Sequence, residues 1–368
     1  MKRRTLLFVG CDNFESGSAP RPGIAVYAFD DTTGVATPLS IVSDIDNPSF
    51  LAIDAEKLLV YATSEVAEHA VGSAAAYALD PDSGILTYIE RQSTLGSLAC
   101  HLSLDRSRNY LFATNFDRGI VGDSPAQALT VLPTRGRTGL SAATTSRKHS
   151  GSGPVRPYQD CPHAHCAVTS VDNRFLLVTD LGTDRITSYG FEEETGSLTS
   201  ASRICEMPPG SGPRHLIFSP DGRTAFVSNE LNSTVSAVAY DPETGRLTIR
   251  QILTSLPDGA IGANYPADIH LGSDSRFLYV SNRGHDSIAV FKLDHDFLSP
   301  AGHFSTGGKW PRSFAINPDG RYLLVANQHS DQIMTFEIEP DRGALTRTTE
   351  VVDLKAPLFV TLASIGVE

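Results

Sequence analysis

Short runs of alternating apolar and polar residues, separated by turn residues, fill this chain from end to end. Tyr279-Val280-Ser281 and Ser287-Ile288-Ala289-Val290-Phe291 are typical runs, and Asp241-Pro242-Glu243-Thr244-Gly245 is a typical break between them. Period-two patterning over such lengths predicts strands, and the Pro/Asp/Gly clusters predict tight turns. No stretch sustains a 3.6-residue period over a helical length, which removes α/β barrels and helical solenoids.

The runs recur as a unit. Pro213-Arg214-His215-Leu216-Ile217-Phe218 leads through Ser219-Pro220-Asp221-Gly222-Arg223 into Thr224-Ala225-Phe226-Val227-Ser228-Asn229. Pro311-Arg312-Ser313-Phe314-Ala315-Ile316 leads through Asn317-Pro318-Asp319-Gly320-Arg321 into Tyr322-Leu323-Leu324-Val325-Ala326-Asn327. Weaker copies bring the unit starts to positions near 48, 99, 164, 213, 266, 311 and 357. That spacing belongs to a propeller or a solenoid, and each unit reads as four strands.

The two ends decide the count. Residues 6–11, 23–29 and 36–42 match the second, third and fourth strands of a unit without a first strand, and residues 356–362 match a first strand with nothing after it. Joined, they complete a seventh unit and leave no open sheet edge. The expectation is an all-β fold: one seven-bladed β-propeller domain over 1–368, with an insertion at about 144–160.

Aligning the units places Ser49, Cys100, His165, Arg214, Ala267, Arg312 and Leu358 on the strands expected to line the central channel. A second ring, just past the second strands, holds Asp12, Glu65, Phe116, Leu181, Glu230, Arg283 and Gln328. Channel packing alone favours small or apolar residues, so His165, Arg214, Glu230, Arg283 and Arg312 on neighbouring units mark a candidate site. Guanidinium forks match carboxylate or phosphate, which points to an anionic small molecule. A buried salt-bridge network holding the ring is the alternative for the same residues. His165 is read as a solvent-accessible proton-transfer group titrating near neutrality. His163, two positions earlier, reads either as a second ligand contact or as a strand-end polar residue. The recurrent Asn115, Asp180, Asn229, Asn282 and Asn327 read as turn-forming caps.

Cys161-Pro162-His163-Ala164-His165-Cys166 has the look of a metal site, but no other Cys or His pair stands at structural-zinc spacing, so no metal and no cofactor are expected. The basic, Ser/Gly-rich stretch 144–159 runs straight into this strand and reads either as a substrate contact or lid or as a solvated connector. Composition adds exclusions. With 30 basic against 42 acidic residues the formal charge is −12, which gives no field to attract nucleic acid. No run of eighteen apolar residues is present for a membrane-crossing helix, so no membrane partner is expected. Five cysteines are few and odd in number, which argues against a disulfide framework and for the cytoplasm. Met1-Lys2-Arg3-Arg4 before Leu6-Leu7-Phe8-Val9 imitates a leader, but the apolar run is too short for one.

Gly151-Ser152-Gly153-Pro154, Gln159, Pro162-His163-Ala164-His165, Gly212-Pro213-Arg214-His215, Asn229-Glu230-Leu231 and Ser281-Asn282-Arg283-Gly284-His285-Asp286 together resemble the seven-bladed lactonase family. That family includes propeller-type 6-phosphogluconolactonases and the fungal 3-carboxy-cis,cis-muconate lactonizing enzyme. The resemblance runs over essentially the whole chain. It implies an active site of His165, Arg214, Glu230 and Arg283; His163, His215, His285 and Arg312 are taken as further candidate substrate contacts. Tyr158-Gln159 departs from the family's usual Arg-Gln, leaving Arg156 as the substitute. The function implied is hydrolysis of an anionic sugar lactone such as 6-phosphogluconolactone. A carboxymuconate-type cycloisomerase and a non-catalytic binding scaffold are the alternatives.

Overall fold

The structure, a computed structural model, describes residues 2–14, 21–117 and 126–367. Among these residues the strands form seven four-stranded antiparallel sheets arranged as blades around a channel. The inner strands are Pro357–Val367, Leu51–Asp54, Ala99–Leu104, Ala164–Thr169, Pro213–Phe218, Tyr265–Leu271 and Pro311–Ile316, for blades one to seven. In blade one the inner strand comes from the C-terminal segment and pairs with Lys2–Cys11, with Leu7 opposite Leu362 and Val9 opposite Val360. The ring closes as the complementary partial units predict.

Burial explains the changing sequence pattern across a blade. Second strands such as Leu59–Ser64 and Thr224–Asn229 are buried at every position, because neighbouring blades cover both faces. They therefore read as continuous runs rather than alternating ones. Outer strands such as Arg246–Thr254 have one face in water and alternate. Between blades, the apolar faces interlock: Tyr61, Ala74 and Ala76 of blade two pack with Leu111, Ala113 and Leu132 of blade three.

The recurrent Asn residues do more than cap turns. Asn115, Asn282 and Asn327 are buried and donate through Nδ2 to the carbonyl oxygens of Thr94, Ser255 and Thr306, which follow the outer strand of the preceding blade. A turn cap would stay within its own unit; these amides tie one blade to the next.

One backbone device repeats at the channel. In six inner strands the pairing with the second strand slips by a residue at the same place. His165 is extra between the Ala164–Asp180 and Cys166–Thr179 pairs, as are Cys100, Arg312 and Leu358 in their blades. Arg214 and His215 share one partner position opposite Ser228, and Ala267 and Asp268 share one opposite Ser281. A bulge re-aims the side chain of its extra residue. Here it turns the aligned ring of residues toward the channel.

Candidate functional site at the channel mouth

A cavity of about 720 Å³ opens at one end of the channel. Bulges in blades four, five and seven deliver His165, Arg214 and Arg312 to its floor, and the ends of second strands in blades five and six deliver Glu230 and Arg283. Glu230 Oε2 bridges the two guanidiniums, 2.8 Å from Arg214 Nε and 2.7 Å from Arg283 Nη2. These contacts engage one nitrogen of each guanidinium and leave further N–H donor directions of both arginines for a ligand. Arg312 Nη2 sits 3.4 Å from Glu65 Oε2.

Electrostatics follow from this pairing. Burial lowers Arg214 to about 10, helped by Arg283 and opposed by Glu230, and it remains a cation at neutral pH. Arg283 is lowered by burial as well. Burial pushes the Glu230 carboxyl up, but Arg283 and Arg214 outweigh it and hold the group ionised below its ordinary value. Three arginines against Glu65 and Glu230 leave one positive charge in excess, because Asp160 at the rim is paired with Arg156.

His165 differs from expectation. It is 5 % exposed rather than solvent-accessible, and its pKa lies well below the ordinary value of 6.5 rather than near neutrality. Burial is the first cause; Arg214, His215 and Arg312 add to it. The ring is therefore neutral at physiological pH, the form that accepts a proton. Its Nδ1 is enclosed with no hydrogen-bond partner among the described residues.

Of the other predicted contacts, His163 and Arg312 line the cavity. His163 lies flat on Phe116, ring centroids 4.3 Å apart. Three do not line it. His215 lies beneath, 5.2 Å from His165 ring to ring, with Nδ1 2.9 Å from Asp268 Oδ1; burial and Arg214 lower it to about 4. His285 sits on an exposed turn with Nδ1 2.7 Å from Ser287 Oγ, because the chain turns outward one residue after Arg283. Arg156 points outward to Asp160, leaving the cavity wall to Pro157 and Tyr158. These three were inferred from motif neighbours of true lining residues, and adjacent residues on a strand or turn face opposite ways.

The insertion is a built rim rather than a loose strap. Its first part, Thr145–Arg147, is the outer strand of blade three. After it, Gln159 is fully buried, donating through Nε2 to Leu181 O at 2.8 Å and accepting from Val155 N through Oε1 at 3.0 Å. Gly182 lets the loop dock: a Cβ there stands 2.0 Å from Cys161 O.

Sequence reasoning missed the aromatic wall. Tyr158, Tyr265 and Trp310 line one side of the cavity, with Tyr265 5.9 Å from Trp310 and the Arg283 guanidinium 5.6 Å over the Trp310 ring. The signal was present, since Tyr265 and Trp310 each directly precede the proline that opens a unit. Glu65 and Gln328 also line the cavity from the second aligned ring.

A seven-bladed propeller with a polar, titratable cavity at its channel mouth is an enzyme-like architecture. The chain belongs to the lactonase, seven-bladed β-propeller family, whose model matches residues 11–362. It is similar to the 6-phosphogluconolactonase of Bacillus subtilis, 30% identical over 272 residues and 74% of each chain. A 6-phosphogluconolactonase of Formosa agariphila is 32% identical over 296 residues, 78% of this chain and 80% of the relative. Among solved structures, the periplasmic gluconolactonase of Pseudomonas aeruginosa superposes with a TM-score of 0.88 at 33% identity, covering 100% of both chains.

Proposed function

We propose that this protein is a lactone hydrolase acting on an anionic sugar lactone such as 6-phosphogluconolactone. The observation that carries the reading is a neutral, buried His165 opening on the same cavity as the Glu230-bridged Arg214 and Arg283. His165 takes a proton from water, and the hydroxide formed attacks the lactone carbonyl. Negative charge develops on the carbonyl oxygen beside the guanidiniums, whose unused donor directions receive it. Collapse breaks the ring C–O bond, and the protonated His165 returns its proton to the departing ring oxygen. Glu230 holds the two arginines together against their mutual repulsion. The names borne by the relatives favour hydrolysis over cycloisomerisation and over a binding scaffold.

The anionic character of the substrate rests on the single excess positive charge in the cavity. Parallel turnover assays on D-glucono-δ-lactone and its 6-phosphate, corrected for spontaneous hydrolysis, test both parts. A phosphorylated lactone preferred by about ten-fold or more in kcat/KM, roughly 1.4 kcal/mol, supports the anion. Equal rates remove the anion and keep the lactonase; turnover of neither removes the lactonase. A cytoplasmic location belongs to this reading, supported by the small and odd number of cysteines, five in all, and subcellular fractionation tests it.

A further inference from the structure

Cys161 and His163 connect the rim loop to the inner strand of blade four, and hydrolysis as proposed uses neither of them. The His163 residue is held by three contacts. Phe116 stacks on its face at an interplanar angle of 9°, its main-chain N–H donates to Asp180 Oδ1 at 2.9 Å, and its Nδ1 meets the Phe116 carbonyl oxygen. A carbonyl only accepts, so Nδ1 carries the hydrogen and the lone pair of the neutral ring lies on Nε2. That Nε2 faces Cys161 Sγ at 3.8 Å. A thiol, a base in reach, and a third group fixing the base is the arrangement that activates a sulfur nucleophile.

The other four cysteines provide an internal contrast. Cys11 and Cys166 are buried and pushed up to about 12, and burial raises Cys100 and Cys205 too. Cys161 is half-buried and lines the cavity, which also holds the enclosed, unpartnered Nδ1 of His165. The charged groups that line the main cavity with the thiol are Glu65, Asp160, Arg214, Glu230, Arg283 and Arg312, together with His165. On its other side Asp117, Lys148 and His149 face it across a smaller cavity of about 200 Å³.

We propose that Cys161 and His163 form a second reactive centre, a nucleophilic thiol that captures small carbon electrophiles entering the cavity. This goes beyond lactone hydrolysis and does not depend on it. With a haloacetamide, the thiol proton passes to His163 Nε2, the S–C bond forms as the carbon–halogen bond breaks, and halide leaves. With an α,β-unsaturated carbonyl, sulfur adds to the β-carbon and the proton from His163 ends on the α-carbon. Either product fills part of the cavity.

The test is equimolar iodoacetamide on the native full-length chain at pH 7, read by peptide mass spectrometry, so no turnover is needed. Label is expected on Cys161, with the other four cysteines left unmodified. Citrate, an anion that competes for the guanidinium wall, should slow the labelling. A His163→Phe variant keeps a flat ring on Phe116 but removes the base. It should label roughly ten-fold more slowly at pH 7 and follow the pH dependence of an ordinary thiol near 8.5. Label spread over several cysteines, no label on the native chain, or a His163→Phe variant with parental rate and pH profile overturns the proposal.

Discussion

The same bulge serves opposite purposes on the two sides of the channel. In blades four, five and seven it presents His165, Arg214 and Arg312 to the cavity. In blades one and three it presents Leu358 and Cys100, both buried. Cys100 Sγ lies 3.5 Å from Ala164 O and serves packing, and Phe359, next to Leu358, lies 4.2 Å from Phe50 ring to ring. One backbone device, repeated by the fold, thus carries the residues of the proposed active site on one side and ring closure on the other. The difference resides in residue identity alone, so function here is grafted on a scaffold indifferent to it.

The strongest way to break the contrast is to remove the closing side. Truncation after Leu354 deletes Leu358, Phe359, Val360 and Ile365, four side chains at most 8 % exposed. At roughly 1.5–3 kcal/mol each, their loss takes about 6–12 kcal/mol, comparable with the whole stability of a domain. The truncated chain should fail to give a cooperative melt; a parental melting temperature refutes the closure argument.

On the reacting side the expected loss is in rate instead. His165→Ala should melt near the parent while turnover falls about 10²–10⁴-fold. Cys100→Ala, at the equivalent bulge, should keep parental turnover. A folded His165→Ala protein with parental rate passes the base role to Glu230. The acid limb of kcat/KM should lie below 6.5, because His165 is depressed, and a limb at or above that value contradicts its burial.

Arg214→Ala and Arg283→Ala come next. Each removes a charge-assisted contact of about 1.5–3 kcal/mol, roughly ten- to hundred-fold in kcat/KM. Unchanged values in both variants dissolve the site. Stability against pH sharpens the contrast further. His101, His165 and His215 have folded pKa values below the unfolded 6.5, so the unfolded chain takes up their protons first as pH falls. Their stability is therefore intact above pH 6.5 and lost below it, at up to ~1.4 kcal/mol per pH unit for each. His270, raised by Asp268 against the opposing effect of burial, acts in the reverse sense. Its contribution is complete below pH 6.5 and is lost only as pH rises above it, so it does not offset the decline of the three below 6.5. Denaturant melts from pH 7 to 5 should show declining stability, and a flat profile excludes the neutral histidine column.

The smallest effects belong to residues that the motif neighbourhood suggested and the cavity does not include. His285→Ala and Arg156→Ala should change kcat/KM by less than about two-fold, within the ordinary range for exposed positions. A ten-fold loss in either returns it to the site.

How far the sequence could be read depended on what each feature owes to periodicity. The blades were legible because a repeat of strands and turns is a local pattern, and the closure because the partial units at the two ends are complementary. His165, Arg214, Glu230, Arg283 and Arg312 were legible because equivalent positions in a closed ring must face one axis. Tyr265 and Trp310 escaped because they precede the aligned strand by one residue, and His285 misled because the turn after Arg283 rotates it outward.

Sequence alone therefore determined the all-β repeat, the ring and the list of residues around its axis. Tertiary structure decided what those residues are chemically. Glu230 lies between Arg214 of its own blade and Arg283 of the next, and Glu65 of blade two meets Arg312 of blade seven, which leaves the cavity one positive charge rather than three. Burial under Arg214, His215 and Arg312 makes His165 a neutral base, where its ordinary value had suggested a group titrating near pH 7. Both depend on distances between side chains as far apart in the chain as Glu65 and Arg312, 247 residues, and charge and desolvation act through space, where no local pattern records them.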